Sequence, residues 1–426
     1  MVKNNNLAFF ASSILTVIYL SIMEKIDFVV NGTVTSPQGF IAGAASADIR
    51  KKKDNRLDLG IISSKEICEV AGLFTDNKIK SPSVILCQKR VLEGKARAIV
   101  ASSGCANAST GEQGFASAIE MSALAARVIG AKPDEVLIAN TGVIGVQLPM
   151  DAIRVGMKKI VMKPDGGHDF ERAIMTTDTQ PKEVAVTVRS GANTFTIGGV
   201  AKGSGMIHPN MATMLAFLTT DASVTPAYLK KSLQDAAAIS FNMISVDGDT
   251  SPSDTLLIMA NGLAKNELIT GKSGMADIFQ KAMNQVCIFL AKAIARDGEG
   301  ATKLIEVNVK SAATLKEARQ AARTIVSSNL LKAAIYGNDP NWGRVTAALG
   351  RSGAQVEEAK LDVYAGKIQV IKQGIHVPLD RTKAVNVLKQ KEVPITVVLN
   401  MGAADATAWG CDLTEKYVEI NAEYTT

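Results

Sequence analysis

The stretch Lys202-Gly-Ser-Gly-Met-Ile-His-Pro-Asn-Met-Ala-Thr-Met-Leu-Ala-Phe217 falls at the middle of a 426-residue chain and is its most informative segment. Gly203 and Gly205 permit tight backbone geometry, Pro209 stiffens the approach to Ala212-Thr213, and Met214 to Phe217 reads as a buried strand. A threonine that opens a buried strand behind a constrained loop suits an N-terminal nucleophile, because a cut before Thr213 frees an α-amine beside that residue's own hydroxyl. Such an amine has an unperturbed pKa of about 7.7 to 8.0, so it can serve as base for the hydroxyl near neutral pH without a histidine. The same residues also suit an ordinary β-branched strand start, and spacing does not choose between the two.

Outward from that segment, composition narrows the alternatives. At 47% hydrophobic and 21% charged residues the bulk of the chain is a folded globular protein, long enough for two or three lobes. The net charge of +6 is dispersed, and its densest run, Arg50 to Lys53, stands beside Asp54 and Asn55 without interleaved aromatics. It reads as a solvated loop, with no nucleic acid as partner. Five scattered cysteines (Cys68, Cys87, Cys105, Cys287, Cys411) never form a C-x-x-C pair, which fits a reducing cytosol and a cytoplasmic location. Three histidines (His168, His208, His376) lie at no ligand spacing, so no metal site is expected. Leu7 to Met23 is an uncharged apolar run that could anchor the chain to a membrane. Met23 is also a plausible start, which makes residues 1–22 an apolar leader outside the fold.

Helices and strands interleave. Thr110 to Gln113 has capping-box spacing before a helix ending near Gly130, and Val136 to Ala139 follows as a short buried strand. Thr225-Pro226 opens a helix to about Met243, and Ile278, Ala282, Val286 and Phe289 mark another that ends at Asp297-Gly298. Ile305, Val307 and Val309 alternate with polar residues as a half-buried strand, a capping box at Thr314 to Glu317 starts a helix, and Ile395 to Leu399 and Tyr417 to Tyr424 read as strands. The pattern is an α/β or α+β chain of layered sheets and helices. Asp247-Gly-Asp249 lacks the glycine and glutamate of a calcium loop, Gly271-Lys-Ser273 lacks the first glycine of a phosphate loop, and Gly203-Ser-Gly205 is followed by His208 where a dinucleotide fingerprint needs glycine. No cofactor is expected.

The central stretch, together with Asn140 to Gly145, Thr176 to Thr179 before Pro181-Lys182, Asp297 to Gly300, and Ile335 to Arg344, resembles the ornithine acetyltransferase family, also called glutamate N-acetyltransferase. The likeness runs from about Asp27 to the last residue. It implies a helix-sheet-sheet-helix sandwich that cuts itself between Ala212 and Thr213, giving an alpha fragment (23–212) and a beta fragment (213–426), two of each assembled together. It further implies an oxyanion hole at Thr141 and Gly142, and substrate contacts at Thr176, Lys202, Thr213, Glu299, Asn421 and Thr426. The resemblance also implies amino-acid substrates, with the acetyl group passing from N2-acetylornithine to glutamate through an acetyl ester on Thr213, and acetyl-CoA as a second donor. Cys105 stands where the family commonly has asparagine, and Ser109 where cysteine or alanine is usual. Two rivals remain: a self-processing aminopeptidase or amidase of similar architecture, which would release free acetate, and a membrane-tethered amino-acid-binding protein, which would stay uncut.

Overall fold

A computed structural model of the chain describes residues 24–208, 214–378 and 380–423. The first half supplies strands β1 (Glu24–Phe28), β2 (Phe40–Ala45), β3 (Leu59–Phe74), β4 (Lys95–Ser102), β5 (Val136–Asn140), β6 (Glu183–Ser190) and β7 (Asn193–Lys202). After the central stretch come β8 (Leu215–Thr220), the short β9 (Ile244–Ser245) and β10 (Thr255–Ala260). All but β9 form one sheet in the order β1-β6-β7-β8-β10-β3-β4-β5, with β2 paired to β3. Strands β8 and β10 are parallel neighbours at its centre, and all their side chains are buried.

That double-sided burial explains why Leu215 to Phe217 and Leu256 to Met259 are continuous apolar runs instead of alternating ones. Met214, Ala216 and Leu218 enter one core, and Leu215 and Phe217 the other. Helices α1 (Pro82–Val91), α2 (Gly111–Ile129), α3 (Met150–Met157) and α4 (Gly167–Ile174) close the second core, to which Leu86, Met121, Ile153 and Phe170 belong. Helices α5 (Pro226–Ala238) and α6 (Ala276–Arg296) close the first, with Leu229, Phe279 and Val286 buried.

Strands β11 (Leu304–Ala312), β12 (Asp362–Ala365), β13 (Ile368–Lys372), β14 (Ile375–His376), β15 (Glu392–Val398) and β16 (Ala404–Cys411) form a second sheet with β9, ordered β14-β13-β12-β15-β11-β16-β9. Helix α7 (Leu315–Val326) packs on β11 and β16, and α6 touches β6, β7 and β16, so it joins the two sheets. Four shorter helices complete the described fold: α8 (Asn329–Tyr336), α9 (Gly343–Gly350), α10 (Arg381–Leu388) and α11 (Glu415–Glu423). The chain is the layered mixed α/β protein that the interleaved pattern predicts.

Local expectations are met unevenly. Thr314 caps its helix, its hydroxyl accepting the Glu317 N–H at 3.2 Å, which is the first half of the expected capping box. Thr110 precedes α2, but its hydroxyl donates to Asn107 instead of capping. The helix from Pro226 stops at Ala238, short of Met243: Ser240 donates its hydroxyl back to the Ala236 carbonyl at 2.6 Å, and a 3-10 turn spans Phe241–Met243. The segment read as a strand from Tyr417 is helix α11, and its Val418 is 65% exposed. Its alternation of apolar and polar residues buries nothing, so tertiary contacts set its conformation. No described helix is long and apolar enough to cross a membrane, and Leu7 to Met23 lie outside the described residues, Met23 being the last of those before them.

Candidate functional site

A cavity of about 140 Å³ opens where the ends of β5, β7, β8 and β10 converge with the turn after α6. Its walls gather Thr141, Gly142, Thr176, Lys202, Glu299 and Asn421, six residues that the family resemblance singled out from positions spread over nearly three hundred residues. Met214, the residue that directly follows Thr213 in the chain, lines it too. Ala212, Thr213 and Thr426 themselves lie outside the described residues.

Thr141 and Gly142 leave the buried strand β5, and the Thr141 N–H donates to the Ser102 carbonyl at 3.0 Å. Gly142 adopts φ +126°, and a Cβ there would stand 2.3 Å from the Gly104 carbonyl carbon, so only glycine fits. The segment it presses against carries Cys105, which is buried and donates its thiol to the Val146 carbonyl at 3.0 Å. Burial pushes that thiol up, away from the thiolate.

Lys202 ends β7, paired in register with Leu215 of β8, and is 7% exposed. Burial pulls its ammonium below the ordinary lysine range, opposed by the nearby charges of Asp178, Asp254 and Glu299. Glu299 follows α6, its N–H donating to the Ser204 carbonyl at 2.8 Å, and a Cβ on Gly205 would meet the Glu299 carboxyl at 2.4 Å. The central glycine therefore lets the backbone lie directly against this carboxylate. The Asn421 amide on α11 donates to Glu299 Oε2 at 2.7 Å, which is what the helix delivers to the site.

Sequence reasoning missed the ionic cluster behind this wall. Lys182 Nζ bridges Asp178 at 2.7 Å and Asp297 at 2.6 Å, with the side chains of Lys182 and Asp178 almost wholly buried. Asp178 also accepts the N–H of Thr176 at 2.9 Å and of Gly203 at 2.6 Å, and Asp297 accepts that of Thr179 at 3.0 Å. One cluster thus fixes the loops that carry Thr176, Lys202 and Glu299. Asp178, Lys182 and Asp297 stand inside the quoted motifs, but the pair across 115 positions has no spacing signature. Asp254, also missed, lines the cavity directly before β10.

Close to the cluster, Glu171 on α4 accepts the Lys182 N–H at 2.9 Å, and burial raises its carboxyl to about 8. A carboxyl raised in the folded state stabilises below its unfolded value, and that contribution fades as pH climbs through the folded one. Glu171→Gln is therefore expected to lose less thermal stability than the parent between about pH 4.5 and about pH 8. Equal losses in a melting series across that window would contradict the buried neutral carboxyl.

Histidine takes no part in the described walls of the cavity. His168 pairs with Glu183 at 2.7 Å, and His208 bonds the Ser245 hydroxyl at 2.9 Å. Burial, assisted by Arg323, lowers His208 to about 4, which leaves it uncharged at neutral pH. Asp247 spends its carboxylate on the N–H groups of Met206, Ile207 and Asp249, a turn-forming role. Among the described residues no group of three or more His, Cys, Asp or Glu is placed to hold a metal ion.

The model of the ArgJ family matches residues 41–426. The chain belongs to the ArgJ family. It is 51% identical over 397 residues to the arginine biosynthesis bifunctional protein ArgJ of Symbiobacterium thermophilum, covering 93% of this chain and 99% of that one. The protein of the same name from Dehalococcoides mccartyi is 50% identical over 403 residues, covering 95% and 100%. Among solved structures, the ornithine acetyltransferase of Mycobacterium tuberculosis complexed with ornithine is 34% identical, covers 44% of this chain and all of that one, and has a TM-score of 0.41. The chain is thus an enzyme of the ArgJ family, as the quoted motifs implied.

Proposed function

We propose that this ArgJ enzyme cuts itself before Thr213 and then transfers an acetyl group from N2-acetylornithine to glutamate through an ester on that threonine. One observation carries the reading: the cavity takes Thr141, Gly142, Thr176 and Lys202 from before the Ala212-Thr213 bond and Met214, Glu299 and Asn421 from after it. The Thr213 hydroxyl attacks the acetyl carbonyl while its proton passes to the Thr213 α-amine. Thr141 and Gly142 donate to the oxygen on which charge collects. The carbon–nitrogen bond then breaks, ornithine leaves with that proton, and the glutamate amine attacks the ester in the reverse sequence. Lys202 holds the substrate α-carboxylate, Glu299 braced by Asn421 holds an ammonium, and Thr176 and Thr426 orient the rest.

A cavity of this size suits a single amino acid, and two half-reactions sharing one oxyanion hole need no cofactor. Acetyl-CoA as a second acetyl donor to glutamate would make the enzyme bifunctional, as the two relatives are named. The fragments 23–212 and 213–426 form the working unit, two of each in the assembly, in the cytoplasm.

Because one ammonium serves both half-reactions, Lys202→Ala is expected to raise KM for acetylornithine and for glutamate alike. Loss of a charge-assisted contact in a closed site corresponds to roughly 1.5 to 3 kcal/mol, or about one to two decades in affinity. Steady-state kinetics with each substrate varied in turn checks this. A change confined to one substrate would refute the shared site, and release of free acetate in place of acetylglutamate would turn the assignment to a hydrolase.

A further inference from the structure

Asp254 is 2% exposed, lines the cavity, and has one carboxyl oxygen, Oδ2, that is buried without a hydrogen-bond partner. An orphaned polar atom in a ligand cavity points to a group the ligand satisfies. Its place is fixed by the sheet: Thr255 of β10 pairs with Leu215 of β8, and the Thr255 N–H donates to the Met214 carbonyl at 2.8 Å. Asp254 therefore sits across from Met214. Ser251, Lys202 and Asp76 are the groups that bear electrostatically on it, and Glu299 is the other acid on the cavity wall.

If one site serves both half-reactions, its occupants differ in charge. N-acetylornithine brings a carboxylate and a terminal ammonium, whereas glutamate brings a carboxylate in place of that ammonium. Lys202 and Glu299 alone give the cavity one fixed charge of each sign, which cannot suit both side chains. We propose that Asp254 is a ligand-facing carboxyl whose single proton matches the cavity to its occupant. Protonated, it donates through Oδ2 to the side-chain carboxylate of a dicarboxylic amino acid; deprotonated, it accepts from the terminal ammonium of a diamino acid, the proton leaving to solvent. The assignment rests on the transfer reading above. Burial pushes this carboxyl well above the usual range, against the pull of Ser251 and Lys202.

The test uses two five-carbon probes without an α-amine: glutarate, with two carboxylates, and 5-aminopentanoate, with a carboxylate and an ammonium. Titration calorimetry of the purified protein in two buffers of different ionisation enthalpy counts the protons exchanged. The expected result is about one more proton released with 5-aminopentanoate than with glutarate. In Asp254→Asn that difference disappears, and affinity for 5-aminopentanoate falls about tenfold or more while glutarate is retained. Equal proton counts in the unaltered enzyme overturn the assignment, as does a difference that survives in Asp254→Asn. An acetylornithine-to-glutamate assay of the same sample separates the two levels: equal counts with transfer intact overturn the Asp254 role alone, and absence of transfer overturns the reading beneath it as well.

Discussion

Thr213→Ala is expected to run as one uncut chain on a denaturing gel and to transfer no measurable acetyl group, while the parent runs as two fragments of similar size. Removing the nucleophile of an acyl-transfer enzyme costs up to ~10⁶-fold in kcat, leaving only the contribution of the oxyanion donors and binding. N-terminal sequencing of the second parent fragment should read Thr-Met-Leu-Ala-Phe, and Thr213→Ser, which keeps a hydroxyl, should cut slowly. Active parent protein in a single full-length band would end the proposal.

The sheet explains why such fragments would remain together after a cut. Strands β8 and β10, which follow the central stretch, lie between β7 and β3, which precede it. The ladder from Lys202↔Leu215 to Ile197↔Thr220 and that from Thr255↔Phe74 to Ala260↔Glu69 both cross the divide. Separating the fragments would expose both faces of the central strands to water, so they should copurify until the fold itself is denatured.

Much of this was legible in the chain. Ile278, Ala282 and Val286 fall on the buried side of α6, though Phe289 turns outward against the ring of Phe28, and the apolar run after Met214 is a central strand. Long motifs in order identified the family and six of the residues that meet in the cavity. The rest depends on contacts between remote positions. Helix α11 alternates like a strand because almost nothing on it is buried; its place is set by Asn421 reaching Glu299 and by the close approach of Gly300 to the Tyr417 backbone. Asp254 looks like any polar residue before a strand until the register sets it across from Met214. The Lys182 bridge joins a loop before β6 to the end of α6, and periodicity cannot report that.

That bridge gives the largest expected stability effect. Burial alone would disfavour the charged forms of both Asp178 and Lys182, yet their mutual attraction, with Lys202 beside the carboxylate and Asp297 beside the ammonium, reverses it for each. Asp178 is held well below the usual carboxylate range and Lys182 above the usual lysine range. Lys182→Met leaves two carboxylates facing an apolar gap, and breaking a buried pair from one side costs about 3 to 5 kcal/mol. A carboxyl lowered in the folded state stabilises above its unfolded value and loses that contribution as pH falls below it, so the parent's margin over Lys182→Met should shrink below about pH 4. Urea unfolding on both sides of that pH measures the margin. Since the same carboxylate orients Thr176 and Gly203, kcat should fall in Lys182→Met even where the protein is fully folded, and Lys182→Arg should recover part of both losses. A Lys182→Met protein with parental stability and kcat would reduce the cluster to a bystander.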